Sequence, residues 1–233
     1  MTNAAGDRLR TVVLVSGSGS NLQSIIDACE ADRISATVTG VLSDQPAAFG
    51  LERAARAGIP AECLPGKDFD SRESYDEALG ERLAALDPEL VVLAGFMRIL
   101  TGKLVTQWHG RMLNIHPSLL PAYRGLHTHR RVLAAGDRRH GTSVHFVTEE
   151  LDGGPLIARA VLEISQGDDE ESLFQRIQAM EHRLYPEVIG WFASGRLRLT
   201  GDRVTLDGNV LSAPAEFEED QVLGPSPRIA GSV

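Results

Sequence analysis

Long apolar runs, abundant cysteines and excess positive charge are all missing from this sequence, and each absence excludes a class of protein. No apolar run reaches the roughly 20 residues that a membrane-spanning helix needs. The polar first ten residues lack the apolar core of a secretory signal. A net charge of −9 argues against a nonspecific nucleic-acid or anionic-membrane surface. We therefore expect a cytoplasmic protein with no nucleic-acid and no membrane partner.

The two cysteines and seven histidines form no recognised disulfide or metal-binding motif. Cys29 and Cys63 make neither a CxxC pair nor a disulfide framework, so reduced thiols are expected. No pair of histidines has the HExxH arrangement of a zinc enzyme. His127 and His129 lie two residues apart on a predicted helix, where their side chains do not share a face. We expect no metal cofactor.

Apolar strands alternate with amphipathic helices along most of the chain. Residues 11–15 and 90–94 are runs typical of strands that are buried on both faces of a parallel sheet. Helical spacing covers residues 72–86 and 170–192, and Pro186 is predicted to kink or restart the second helix. The alternation predicts an α/β fold with a mostly parallel sheet. We expect one domain over residues 1–210 and a flexible tail over 211–233, where periodicity is lost.

A glycine-rich turn, Ser-Gly-Ser-Gly-Ser-Asn at residues 16–21, joins the first strand to the first helix. Exposed amides and the positive end of a helix dipole make such a turn an anion site, with Ser20 or Asn21 suited to the N-cap. A dinucleotide site is disfavoured because Leu22 stands where the third glycine of GxGxxG is required, and no P-loop lysine follows. A single phosphate monoester fits best. A tight turn with a serine cap is the alternative.

The stretch LNIHPSLLP at residues 113–121 places Asn114 and His116 on one face of a strand that Pro117 should end. Asp152 lies in an acidic, glycine-rich loop that could approach them, and a carboxylate beside an imidazole favours the charged ring. With Asn114 as an oxyanion donor, the three residues suit acyl or formyl transfer. No GxSxG nucleophile occurs, which favours direct attack by a substrate amine. A role in binding alone is the alternative.

Four apolar residues and one arginine form the loop after the strand at residues 90–94. Ligands of open α/β sheets bind outside the carboxyl ends of the strands. The loop therefore predicts either the wall of a pocket for a flat ring or a hydrophobic segment packed on the core.

A series of longer motifs, in order along residues 11–200, carries a family resemblance. The motifs are SGSGSNLQSIIDAC, AFGLERA, FDSRE, VVLAGFMRIL, LNIHPSLLPAY, GLHTHR, HGTSVHFV, ELDGGP and QAMEHRLYP. By these motifs the chain resembles the phosphoribosylglycinamide formyltransferases, folate-dependent enzymes of purine synthesis. The resemblance implies a Rossmann-like formyltransferase fold with helices on both faces of the sheet. It also implies 10-formyltetrahydrofolate as co-substrate and 5-phosphoribosylglycinamide as acceptor.

The same resemblance implies roles for individual residues, each taken from a matching motif. The implied catalytic residues are Asn114, His116 and Asp152. The implied acceptor residues are Gly19, Ser20, Asn21, Gln178 and Glu181. The implied formyl-folate residues are Arg72, Met97, Arg98, Ile99, Leu100, Asn114, Thr148, Glu149, Glu150, Leu151 and Asp152. Small-molecule substrates and a monomer or homodimer are expected.

Three alternatives stay open at this point. Methionyl-tRNA formyltransferase shares the SLLP segment but would need a tRNA-binding domain, for which the chain lacks length and basic charge. Formyltetrahydrofolate hydrolase would carry an N-terminal regulatory module, whereas the first predicted strand begins near residue 11. A catalytically silent phosphate- or folate-binding protein is the third alternative, against which the intact Asn114, His116 and Asp152 argue.

Overall fold

Strands and helices alternate through the chain, as the sequence predicts. The computed structural model describes residues 8–223. The strands are β1 (Leu9–Val15), β2 (Ala36–Ser43), β3 (Ala61–Cys63), β4 (Leu90–Leu93), β5 (Met112–His116), β6 (Arg139–Phe146), β7 (Leu156–Glu163), β8 (Leu197–Thr200), β9 (Arg203–Leu206), β10 (Asn209–Val210) and β11 (Ala215–Glu218). The helices are α1 (Ser20–Glu30), α2 (Phe49–Arg56), α3 (Arg72–Leu86), α4 (Gly102–Gln107), α5 (Thr128–Ala135), α6 (Glu170–Ala193) and α7 (Glu219–Leu223). None of these helices is long and apolar enough to cross a membrane.

One eight-stranded sheet, in the order β11-β7-β6-β5-β4-β1-β2-β3, organises the molecule. Its strands pair in parallel except for β6, which runs antiparallel to both β5 and β7. The chain leaves β1 towards β2 and β3, then returns to β4 on the other side of β1. Such a reversal opens a crevice at the carboxyl ends of the neighbouring strands. The mostly parallel α/β sheet predicted from the sequence is therefore confirmed.

The alternating side chains of β1 divide the core into two layers. Val13 and Val15 are fully buried in the cluster that includes α1 and α6. Val12 and Leu14 are equally buried on the opposite face, against α3 and α4. Burying each such side chain stabilises the fold by about 1.5–3 kcal/mol. The uninterrupted apolar strand is thus explained by helices that cover both faces of the sheet.

The long helix α6 is fastened to the sheet directly below the crevice. The hydroxyl of Tyr185 is fully buried and lies 2.9 Å from the carbonyl oxygen of Leu93 and 3.0 Å from that of Leu113. Asp169 begins the helix with a capping box, which satisfies its first amides. The helix continues through Pro186 without a second start. The carboxyl ends of β4 and β5 are therefore held in fixed positions.

The C-terminal segment differs from the flexible tail that the sequence predicts from residue 211. β11 adds a parallel edge strand to β7, and Phe217 is buried with its ring 6.3 Å from that of Trp191. Arg176 in α6 forms an ion pair with Glu219. The expectation fails over residues 215–223 because one apolar residue among glutamates gives no periodic signal, and the order comes from tertiary contacts. The rest of the predicted tail, residues 224–233, lies outside the described residues.

Replacing Phe217 with alanine tests this segment. Loss of a buried aromatic ring should lower the free energy of unfolding by about 3 kcal/mol, measured by urea denaturation. Glu216→Ala is the matched control, because the half-exposed Glu216 side chain pairs only at the surface with Arg139 and should change stability by less than about 1 kcal/mol. An unchanged urea midpoint for Phe217→Ala would mean that the segment is loose, as its sequence suggests.

Candidate active site

The carboxyl end of β5 carries two polar side chains into the crevice. Asn114 and His116 both line a cavity of about 330 Å³, and the strand ends at His116, immediately before Pro117. The shared face and the strand end are as predicted from the sequence. An amide and an imidazole therefore face the same cavity, where both can form hydrogen bonds with a bound molecule.

His116 is held on both sides of its ring. Its Nε2 lies 3.0 Å from the carbonyl oxygen of Tyr123, and since a carbonyl only accepts, Nε2 carries a hydrogen. Its Nδ1 lies 3.6 Å from Oδ2 of Asp152, too far for a hydrogen bond but close enough for an ion pair when the ring is charged. The amide of Gly125 donates to the same Asp152 oxygen at 2.9 Å. The predicted meeting of Asp152 with His116 is therefore present.

His145 is a site residue that the sequence interpretation missed. The antiparallel register pairs it with Asn114, whose Nδ2 lies 3.1 Å from His145 Nε2. His145 Nδ1 donates to the carbonyl oxygen of Phe146 at 2.9 Å, so Nε2 is left as an acceptor. Burial lowers the pKa of His145, which favours that neutral form. A bulge against β7 lies at this residue, and neither bulge nor register is readable from a single sequence.

The loop after β4 forms an apolar wall beside Asn114. Met97, Arg98 and Ile99 line the cavity, as predicted, while Leu100 lines an adjoining pocket of about 80 Å³. The remaining members of the predicted folate loop line that smaller pocket, namely Thr148, Glu149, Glu150 and Leu151. Asn114 and Asp152 line both spaces.

Arg98 is anchored rather than free at this wall. Its guanidinium lies 3.9 Å from the centre of the Tyr75 ring, a cation–π distance. The apolar side chains around the opening are at least two-fifths exposed, namely Met97, Ile99, Leu126, Leu151 and Phe174. An exposed apolar rim of this kind marks a ligand site in a folded protein.

The opposite wall of the cavity is polar. Asn21, Gln178 and Glu181 line it, as the sequence resemblance implies. Asn21 Nδ2 donates to Glu181 at 2.8 Å, while Asn21 Oδ1 is buried with no partner in the described part of the chain. Burial raises the pKa of Glu181, although hydrogen bonds from Asn21 and Thr142 oppose the rise. An unmatched acceptor beside a carboxyl group suits a ligand that carries hydroxyl groups.

Thr142 connects the polar wall to β5 and was not identified from the sequence. Its hydroxyl lies 3.1 Å from Glu181 Oε1 and 3.0 Å from the carbonyl oxygen of His116. The side chain is fully buried. The HGTSVHF alternation indicates which residues share a face of β6, but the contact with α6 depends on how the helix packs.

Gly19, at the end of the turn, and Ser20, the first residue of α1, do not line the cavity. Gly19 is the N-cap of α1 and is left-handed, with φ of 66°, so the expected N-cap role of Ser20 or Asn21 is wrong. The N-cap is a glycine because a Cβ there would lie 2.6 Å from Cα of Gly50. The first amides of α1 have no intrahelical acceptor and can bind an anion.

Arg72 is not brought to the cavity. It lies in the first turn of α3 and lines a separate groove between α3 and α4, together with Asp76 and Lys103. Its side chain is half exposed, and its Nε is 3.9 Å from Glu73. The motif match identified Arg72 but could not show where its side chain points, because that depends on how α3 packs against the sheet. No group of three potential metal ligands occurs within residues 8–223.

Two hydrogen-bonded histidines, His129 and His140, lie at one side of the cavity. His129 lines the cavity, and its Nδ1 is 2.9 Å from Nε2 of His140. Burial is the main cause that lowers the pKa of His129, and burial together with the positive field of His129 lowers that of His140 to about 4. Both rings are therefore neutral at pH 7, and the pair is held by one neutral hydrogen bond.

Comparisons with known proteins match nearly the whole chain. Residues 9–189 match the family model described as formyl transferase. A phosphoribosylglycinamide formyltransferase of Escherichia coli strain K12 is 54% identical over 213 residues, which are 91% of this chain and 100% of that protein. The solved phosphoribosylglycinamide formyltransferase of Coxiella burnetii has a TM-score of 0.87 at 47% identity, covering 90% of this chain and 99% of the other. Glycinamide ribonucleotide transformylase 1 of Symbiobacterium toebii has a TM-score of 0.84, also at 47% identity, covering 88% and 97%.

The His129–His140 pair predicts a defined acid sensitivity. The pKa of His140 is about 4 in the folded chain and about 6.5 when unfolded, so only the unfolded chain takes up this proton between those pH values. Stability is therefore lost as the pH falls from 6.5 towards 4. The decrease in unfolding free energy between pH 7.5 and 5.5 should be roughly 1 kcal/mol smaller for His140→Gln than for the parent. Equal decreases in urea titrations at the two pH values would contradict this explanation.

Proposed function

We propose that this chain, which belongs to the formyl transferase family, transfers the formyl group of 10-formyltetrahydrofolate to the amine of 5-phosphoribosylglycinamide. This reaction is a step of de novo purine biosynthesis. Relatives that carry the name phosphoribosylglycinamide formyltransferase support the choice of acceptor. The main structural support for the proposal is the arrangement of three polar residues in the cavity. Asn114, His116 and Asp152 lie together between an apolar wall and a polar wall.

On the donor side, the apolar loop after β4 suits the flat ring system of a folate. Met97, Ile99 and Leu151 supply exposed apolar surface in the lining of the cavity. The smaller pocket, reached past Asn114, offers room for the end of the ring. Arg72 does not line this space. We therefore assign it no contact with the ring and propose that it meets the carboxylate or tail of the folate, as the resemblance implies.

On the acceptor side, the free amides of Gly19, Ser20 and Asn21 suit the phosphate group. Asn21 Oδ1 and the Glu181 carboxyl suit the ribose hydroxyls, because a buried acceptor without a partner gains a full hydrogen bond from a ligand hydroxyl. Gln178 lies beside them on α6. This assignment directs the amine of the acceptor towards the His116 end of the cavity.

The reaction is a direct transfer. The amine nitrogen attacks the formyl carbon, a C–N bond forms, and the carbonyl oxygen becomes an oxyanion. Asn114 donates to that oxyanion through an N–H, while His145 holds the amide by accepting its other hydrogen. When the tetrahedral intermediate collapses, the bond from carbon to folate N10 breaks, the new amide nitrogen loses a proton and N10 gains one.

Asp152 lies 3.6 Å from Nδ1 of His116 and fixes the direction of the ring. In the charged ring, the proton on Nδ1 faces Asp152, while Nε2 donates to the Tyr123 carbonyl. Donation to substrate therefore requires the ring to exchange one of these two partners, and a water at Asp152 can relay the proton. A positioned acid of this kind contributes roughly a hundred- to ten-thousandfold in rate.

The cellular setting is part of the same proposal. Cys29 and Cys63 are both free thiols in the structure, which supports a reducing compartment such as the cytoplasm. We propose a monomer or homodimer, as expected from the sequence, and a mechanism that uses no metal.

Purified protein should form formylated product from 10-formyltetrahydrofolate and 5-phosphoribosylglycinamide with no added metal or ATP. The change in folate absorbance on loss of the formyl group is a direct assay. Assays with methionyl-tRNA as acceptor and with no acceptor test the transferase and hydrolase alternatives. The proposal fails if product forms only in one of those two reactions, or if no turnover occurs with both proposed substrates present.

Asp152→Asn separates chemistry from binding. The variant keeps the size of the side chain but removes the charge that faces His116, so kcat should fall at least a hundredfold. The KM for 5-phosphoribosylglycinamide should change little, because Asp152 is not on the acceptor wall. Glu163→Gln, an exposed carboxylate at the end of β7, is the control and should retain full activity. An equal loss of acceptor affinity in Asp152→Asn would make Asp152 a structural residue.

A further inference from the structure

Helix α2 packs directly on the glycine-rich turn before α1, a contact that the formyl-transfer chemistry does not explain. The amide of Gly50 donates to the carbonyl oxygen of Gly17 at 3.1 Å. Gly19 lies so close to Gly50 that no Cβ fits between the two backbones. The turn is therefore braced from outside the cavity by the first residues of α2.

Arg53, three residues further along α2, forms hydrogen bonds with residues on both sides of Gly19. Its Nε donates to the carbonyl oxygen of Ser18 at 2.8 Å, and one guanidinium nitrogen donates to Gln23 Oε1 at 3.2 Å. The guanidinium carbon lies 4.9 Å from the centre of the Phe49 ring, which supports the side chain from below. One arginine thus connects the turn, the first turn of α1 and α2.

The bond to Ser18 fixes more than a carbonyl. In a trans peptide the C=O and the N–H of the next residue point in opposite directions. When Arg53 holds the Ser18 oxygen towards α2, the Gly19 amide is directed away from α2. The same bond keeps a partial negative charge from turning towards an anion bound at the amides, and the guanidinium adds a positive charge nearby.

We infer that Arg53 is a positioning residue for the phosphate of the acceptor substrate: it holds the turn at residues 16–19 in the form that presents its amides to a phosphate monoester. The inference rests on the proposed function for the identity of the substrate. It concerns binding of the acceptor and not the chemical step, because the bonds of Arg53 lie on the outer side of the turn.

The same helix provides a matched control for the test. Arg56 also stacks on Phe49, at 5.0 Å, but it is exposed, and its ion pair within residues 8–223 is with Glu52 of the same helix. In Arg53→Met, the KM for 5-phosphoribosylglycinamide should rise about 10- to 100-fold, the effect of losing a charge-assisted hydrogen bond. The kcat and the KM for 10-formyltetrahydrofolate should stay within about threefold. Arg56→Met should match the parent, and Arg53→Lys should fall between them.

Inorganic phosphate gives a second measurement that needs no turnover. Its dissociation constant, measured by calorimetry on the unliganded chain, should rise in Arg53→Met by a factor similar to that for KM, and not in Arg56→Met. Unchanged phosphate binding in Arg53→Met would overturn the inference. Parallel losses in both KM values and in the urea midpoint would also overturn it, because Arg53 would then be a general structural residue. If the parent chain lacks formyl transfer but binds phosphate in an Arg53-dependent manner, the proposed function fails and the positioning role stands.

Discussion

The antiparallel pairing of β5 with β6 is the constraint on which the site depends. A parallel neighbour would have brought the carboxyl end of another strand beside His116. The antiparallel β6 instead runs past it, so that His145 lies opposite Asn114 and Ser143 opposite His116. Thr142 then reaches both the His116 carbonyl and Glu181 on α6. One choice of strand direction thus sets the orientation of the amide, the position of the imidazole and the contact between β5 and the polar wall.

Burial gives these polar groups their character. His140, His145 and Glu181 are each at least nine-tenths buried, and for each the lost hydration favours the neutral form. A neutral His145 can accept from Asn114, which a charged ring could not do. Asp152 and His116 lie 3.6 Å apart in the same surroundings. The site therefore combines neutral groups that orient one another with the adjacent His116 and Asp152, in accordance with the general rule that buried polar groups need partners.

Much of this arrangement could be predicted from the sequence, and the parts that could not have a common cause. Strand β5, its end at Pro117 and the approach of Asp152 follow from local patterns and from the rule for strand carboxyl ends. Gly19 as N-cap, the His145 partnership and the position of Arg72 depend on contacts between residues distant in the chain. The order in β11 depends on the edge of β7 and on Trp191. Periodicity reports which face of an element is buried, but it carries no information about register or about the neighbour that covers that face.

The two ends of the sheet have a consequence for how the protein behaves in a crowded solution. A long bare edge strand would offer unpaired amides and carbonyls to a strand from another molecule and so promote aggregation. In this sheet one edge is the three-residue β3, and the other is the four-residue β11, where glutamates 216 and 218 flank the buried Phe217. The short length of both edge strands and the charged side chains on β11 disfavour the addition of a further strand. The C-terminal segment is thus part of the core, and it also disfavours pairing of this sheet edge with a strand of another molecule.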